Sequence, residues 1–190
     1  SIPLGIIVAL LQNAKSKIIS SLMKGYILLI RGTPIMLQII VVYFCPYYMF
    51  GISYDRFVAI IIAFVINYAA YFAEIYRGGI EAIPKGQYEA AQVLGYGKIQ
   101  TFFIIILPQV FRIILPSVTN EVITLVKDTS LARIIALQEI IWAGQAFLKG
   151  SQGIAGAIWP LFFTGVYYLI FSGILTVLLG RLERKLDYFR

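Results

Sequence analysis

The sequence predicts an all-α membrane protein with five core transmembrane helices. Three observations carry that expectation. First, 60% of the residues are hydrophobic and mean hydropathy is +0.86, where an ordinary soluble domain is about 45–50% apolar. Second, only 13% of residues are charged, about half the usual share. Third, the charges cluster, leaving apolar windows long enough to cross a hydrocarbon core of about 30 Å.

The elements follow in order. Segment one is the short apolar run from Ile2 to Leu11. Lys15, Lys17 and Lys24 then lie in an amphipathic connector. In Arg31-Gly32-Thr33-Pro34, Thr33 is a good N-cap, and Pro34 suits the first helical position because it has no N–H to leave unsatisfied. Segment two therefore runs from Pro34 to about Phe50, and Pro46 should kink or end it. Segment three spans about Phe57 to Ile75, and a polar island follows from Arg77 to Gln100. Segment four starts near Thr101 and reaches about Val126, broken by Pro108 and Pro116. Ile134 to Phe147 is mixed and amphipathic. Segment five runs from about Ile158 to Leu179, and a charged tail closes the chain. The whole of 1–190 reads as a single transmembrane domain.

Charge placement sets the orientation. Arg56, Lys127, Arg133 and Lys149 fall on one side, and the other twelve Lys and Arg fall with the first connector, the polar island and the C-terminus. The positive-inside bias makes the richer side cytoplasmic. The N-terminus is then outside and the C-terminus inside. The net charge of +7 does not point to nucleic acid, because the basic residues sit at the ends of apolar runs and not on one soluble face. There is no histidine and one cysteine, Cys45. A His/Cys metal site, a disulfide framework and His-based catalysis are excluded, and Cys45 reads as a buried inert thiol. No catalytic pattern is visible, and a transport role is expected over an enzymatic one.

The polar island carries the most informative pattern. Glu89-Ala90-Ala91 is followed after three residues by Gly95, and nine residues later by Ile105-Ile106-Leu107-Pro108. Pro84 to Gln87 reads as a turn, and Gln87 to Leu94 has helix-forming composition. Gly95 is placed to end that helix in the left-handed region. A helix of about two turns should present Tyr88 and Glu89 to the cytoplasm. It would be marginal alone in water and needs a partner.

This pattern resembles the signature cytoplasmic loop of membrane subunits of binding-protein-dependent ABC importers. Arg31-Gly32-Thr33-Pro34, Ala73-Glu74-Ile75-Tyr76-Arg77-Gly78-Gly79-Ile80, Gly86-Gln87 and Lys127-Asp128-Thr129-Ser130-Leu131 look like its polar amino acid uptake branch. The resemblance implies the ABC importer permease fold in a prokaryotic plasma membrane. It also implies a loop within 77–100 whose coupling helix, with Tyr88, Glu89, Ala90, Ala91 and Gly95, docks on a separate ATPase. The expected partners are two ATPase subunits, a second permease subunit (a copy or close relative) and an external substrate-binding protein. ATP and Mg would belong to the ATPase, and no cofactor to this chain. Consistently, a phosphate-binding loop needs G-x-x-x-x-G-K-[ST], and the nearest approach, Gly97-Lys98-Ile99, lacks the earlier Gly and the hydroxyl residue.

The membrane interior supplies the candidate substrate site. Glu121 lies nine residues past Arg112, about 14 Å along a helix, close to the midplane. An ionisable group there costs roughly 2.5–3.5 kcal/mol or more and commonly marks a pathway or ligand site. Ser117 and Thr124 share its face, and Pro116 frees a backbone carbonyl nearby. Glu121 with Asn120 would bind a cationic group of the substrate, or Glu121 would pair with a fixed Lys or Arg or be protonated in the dimer interface. Gln38 would line the pathway or make a helix–helix hydrogen bond. Glu74 would pair with Arg77 at i+3, and Arg31 would anchor at headgroups or the ATPase. Tyr167, Tyr168, Trp142 and Trp159 read as interface or packing aromatics.

The expected function is ATP-driven import of a polar, cationic amino acid (arginine, lysine or histidine) by alternating access. Within the same family, glutamine, glutamate or an opine is the alternative. Outside it, the alternative is a secondary transporter or channel driven by an ion gradient.

Overall fold

The computed structural model describes residues 1–143 and 153–186. Phe147, Lys149, Asp187 and Arg190, which entered the expectations above, lie outside the described residues. The α-helices whose bounds lie among the described residues are α1 (Ile2–Gln12), α2 (Lys17–Arg31), α3 (Ile35–Phe50), α4 (Arg56–Glu81), α5 (Lys85–Val93), α6 (Lys98–Gln100), α7 (Leu107–Asp128) and α8 (Gly153–Leu186). A π-helical stretch, Thr101–Ile106, joins α6 to α7, and a 3-10 helix, Thr129–Ile135, follows α7. There is no strand among the described residues.

Helix α4 is the hub. Asp55 caps it, its carboxylate accepting the backbone N–H groups of Phe57 (2.8 Å) and Val58 (3.4 Å). Small residues then let other helices approach closely, as membrane helix packing favours. Ala69, Ala70 and Ala73 are fully buried. Three core clusters lie along α4. Val8, Ala9, Ile27 and Ile30 of α1 and α2 meet Ala70 and Ala73. Ile39 of α3 meets Ala59, Ile60 and Ala63, joined by Ala132 and Ile135. Ile106, Val110 and Ile114 meet Ile83, with Ile75, Tyr76 and Ile80 of α4 against them. At the α4–α7 crossing a Cβ on Gly79 would lie 2.2 Å from Ile114 Cγ2, so only glycine fits there. Helix α8 packs against α7 and presents Leu169, Ile170 and Ile174 outward, each more than half exposed.

Three helices, Arg56–Glu81, the continuous Lys98–Ile135 stretch and Phe162–Lys185, are each long and apolar enough to cross a membrane. Helices α2 and α3 pass that test together but turn by 108° between them, and α1 is a shorter apolar helix. Helices α1, α3, α4, α7 and α8 occupy the places of the five expected segments, with α2 as a separate amphipathic piece.

The local signals were read less accurately. Thr33 does not cap α3: its hydroxyl donates back to the Leu29 carbonyl at 2.8 Å, closing α2, and Pro34 is the residue before α3. Pro46 does not end segment two, since α3 runs through it to Gly51, whose φ of 68° supplies the left-handed stop. Segment three does not end at Ile75, because the pairing of Arg77 with Glu74 and Glu81 lets α4 continue to Glu81. The first residues of the expected 77–100 loop thus belong to α4. Pro84-Lys85-Gly86-Gln87 is not a turn: Pro84 sits before the helix, and α5 starts at Lys85. Pro108 and Pro116 do not break segment four. The π-helical stretch just before Pro108 widens the chain's path, with Leu107 N–H bonded to the Phe102 carbonyl, and Pro116 lies inside continuous α7. Segment five is longer than expected and spans Gly153–Leu186. Cys45 is half-buried beside Met49.

Candidate functional site

Two joined cavities lie between the C-terminal end of α2, the middle of α4 and α7. The larger, about 520 Å³, is walled by Arg31, Tyr71, Glu74, Ile75, Gly78, Gly79, Ile113, Ile114, Ser117, Asn120 and Glu121. The smaller, about 440 Å³, takes in Arg31, Thr33, Asn67, Tyr68, Tyr71, Glu121, Thr124 and Asp128. Arg31, Tyr71 and Glu121 border both, so the two form one polar groove. Its size falls within the range of about 300–1,000 Å³ usual for small-molecule sites.

Each wall follows from helical spacing. On α4, Asn67, Tyr71, Glu74 and Gly78 recur at intervals of four, three and four, which is one helical face. On α7, Ser117, Glu121, Thr124 and Asp128 do the same. The third wall is the α2–α3 break at Arg31-Gly32-Thr33-Pro34. A discontinuous helix lining a cavity is a recurrent transporter device. Here the break is at α2–α3 and not at Pro116.

The charges are unevenly used. Glu74 accepts from Arg77 Nε (3.0 Å) and Nη2 (2.9 Å), from Gln12 Nε2 (3.2 Å), and pairs with Arg31 Nη1 at 3.3 Å. Arg77 also reaches Glu81 at 2.6 Å. One carboxylate thus ties α1, α2 and α4 together. The expected Glu74–Arg77 pair is present within a larger cluster. Arg31 faces the groove, bound to Glu74 and lying 5.5 Å from the centroid of the Tyr71 ring. These ion pairs leave Glu121 out, half-buried on the groove wall. Asp128, at the far end, accepts the Tyr68 hydroxyl at 2.7 Å.

Ser117, Asn120, Glu121 and Thr124, singled out from sequence, come together on the groove, although the Thr124 hydroxyl donates to the Asn120 carbonyl. Gln38 does not join them. Its amide donates to the Ile30 carbonyl (2.8 Å) and to Thr33 Oγ1 (2.9 Å), and its oxygen accepts from Asn67 (2.9 Å). It fastens the α2–α3 break to α4. Tyr71, Tyr68, Asn67 and Asp128 were missed. The signal was available in the polar stripe of α4 and in the continuation of the Glu121 face to Asp128.

The second candidate region is α5. Ala91 is 1% exposed and Tyr88 packs on the Ile83–Ile106–Val110 cluster. Gln109 Nε2 on α7 donates to Gln87 Oε1 at 3.2 Å. Of the five residues expected to couple, Tyr88 and Ala91 therefore hold the helix to its own chain. Glu89 and Ala90 are exposed, with Val93 (88%) and Leu94 (72%) beside them. Gly95 has φ 81° and returns its N–H to the Gln92 carbonyl.

The family model of the binding-protein-dependent transport system inner membrane component matches residues 1–188. The chain belongs to that family. Among curated relatives, the arginine transport system permease protein ArtQ of Bacillus subtilis is 37% identical over 96% of this chain and 82% of its own length. The glutamine transport system permease protein GlnP of Escherichia coli K12 is 38% identical over 85% of this chain and 73% of its own. A solved amino acid ABC transporter with histidines superposes with a TM-score of 0.88 at 29% identity, covering 97% of this chain and 84% of that one.

The permease fold and the polar amino acid branch expected from the sequence both hold. The chain is a multi-pass inner-membrane permease subunit and not an enzyme, and the family's ATPase is a separate partner.

Proposed function

We propose that this chain imports a cationic amino acid, with Glu121 meeting the positive charge of the substrate. The carrying observation is the position of Glu121 on the groove wall, outside the ion-pair cluster that neutralises Arg31. Asp128 adds a second carboxylate two turns along the same face. Arginine, lysine or protonated histidine offers two positive groups to such a groove. The curated arginine permease is consistent with this reading.

Glutamine is the second reading, favoured by the 38% identity to the Escherichia coli glutamine permease. A neutral side chain would leave Glu121 only the α-ammonium. An anionic side chain would sit badly beside it.

The working unit is this chain with a second permease subunit, two ATPase subunits that carry ATP and Mg, and an external binding protein. The N-terminus lies outside and the C-terminus in the cytoplasm, which puts α5 on the ATPase side. ATPase closure moves α5, and α7 follows through Gln87–Gln109 and the Tyr88 contacts. The walls of the groove then shift between inward- and outward-facing arrangements. Glu121 contributes to coupling only through a difference in substrate affinity between the two states.

The test is Glu121→Gln in the assembled complex. A charged hydrogen bond of about 1.5–3 kcal/mol corresponds to an expected loss of roughly 10- to 100-fold in apparent affinity for arginine, with assembly intact. Unchanged stimulation of ATP hydrolysis by arginine would remove Glu121 from the site.

A further inference from the structure

Residues 1–54 contain Lys15, Lys17, Lys24 and Arg31 and no Asp or Glu. Most of this charge is on α2, a 15-residue helix set at 108° to α3. With α3 crossing the bilayer, α2 lies near the membrane plane at the end of that crossing.

Helical spacing divides α2 into three faces. Met23, Tyr26, Ile27 and Ile30 pack on α1 and α4. Ile18, Leu22 and Leu29 form a second face and are 74%, 62% and 63% exposed. Lys17, Lys24 and Arg31 recur every seven residues on the third face, with Leu28 between the last two. Arg31 is taken by Glu74. Among the described residues, Lys15, Lys17 and Lys24 enter no ion pair.

A helix facing only water has no use for the Ile18–Leu22–Leu29 stripe. One facing only acyl chains would not carry these lysines. An apolar stripe beside a cationic one is the pattern of a helix lying in the headgroup boundary. Lysine stems can cover apolar surface there while their ammonium groups reach outward.

We infer that α2 is an interfacial helix and that Lys15, Lys17 and Lys24 form a binding site for the phosphate headgroups of anionic phospholipid. Charge complementarity selects the occupant: three cations that enter no ion pair among the described residues, Lys24 opening onto a cavity whose carboxylate, Glu74, is already held by Arg31 and Arg77, next to a stripe that fits acyl chains. Because α2 ends in Arg31 at the groove, lipid bound along it also fixes one wall of the substrate cavity.

The experiment compares the permease–ATPase complex in phosphatidylcholine nanodiscs with and without phosphatidylglycerol. Association of spin-labelled phosphatidylglycerol is read against spin-labelled phosphatidylcholine. This readout is independent of which amino acid is transported. The wild type should prefer the anionic lipid. Combined Lys15→Gln, Lys17→Gln and Lys24→Gln should erode that preference by about fivefold per lysine, the Boltzmann factor of one charge near an anionic surface. The three Lys→Arg changes should preserve it, and soluble glycerol phosphate should not compete. In pure phosphatidylcholine the Gln variant should match the wild type in ATPase retention. A wild type without lipid preference, or a Gln variant that keeps it, overturns the proposal. So does loss of the ATPase from the Gln variant in both lipids, which would make α2 a protein-docking surface.

Discussion

Two glycines show how the same residue serves different physics. At Gly95 the backbone has φ 81°, and an added Cβ would meet open space. The cost of Gly95→Ala is therefore conformational, about 1–2 kcal/mol for an L-residue held in the left-handed region. At Gly79 the backbone is ordinary helix, but an added Cβ falls 2.2 Å from Ile114 Cγ2. Gly79→Ala forces α4 and α7 apart at an overpacking cost of about 1–3 kcal/mol, and both helices wall the groove. Thermal unfolding in detergent should show both variants destabilised, and only Gly79→Ala should also weaken substrate-stimulated ATP hydrolysis. Equal loss of stimulation in both would mean that the α4–α7 spacing does not set the groove. The role of Gly95 was legible because it follows a helix-forming run. That of Gly79 was not, since nothing local announces which neighbour approaches.

Helix α5 is an element whose existence was plain in the sequence and whose faces were not. Glu89-Ala90-Ala91 and Gly95 marked it, yet only the tertiary contacts separate Tyr88 and Ala91, which hold it inward, from Glu89, Ala90, Val93 and Leu94, which face outward. Reversing the charge by Glu89→Lys should reduce ATPase co-purification severalfold without changing substrate affinity, measured by equilibrium binding to the permease. Normal co-purification would remove Glu89 from the docking surface. The apolar spans were equally legible, because hydrophobic length is a property of the chain alone. Their ends were misplaced where a side chain bonded within one helical turn in a way the sequence does not announce, or where a turn was non-standard. Thr33 turned back to Leu29, Arg77 extended α4 through Glu74 and Glu81, and the π-helical stretch absorbed Pro108.

At the scale of the molecule, the groove depends on three elements that no local pattern joins. Glu121 could be singled out because a carboxylate in an apolar span is costly. The pairing of Arg31 is not legible in the sequence, because its partner, Glu74, lies on another helix. Once α2, α4 and α7 are assembled, Glu74 neutralises Arg31, and Glu121 and Asp128 remain along one wall. The proposal of a cationic amino acid as substrate rests on that distribution of charge. The most direct measurement is uptake of arginine, histidine, glutamine and glutamate into proteoliposomes that hold this chain with its ATPase, with and without ATP. Expected is ATP-dependent uptake favouring arginine and histidine, with that preference reduced in Glu121→Gln. ATP-dependent uptake favouring glutamine or glutamate would contradict the role given to Glu121, and uptake driven by an ion gradient without ATP would contradict the importer itself.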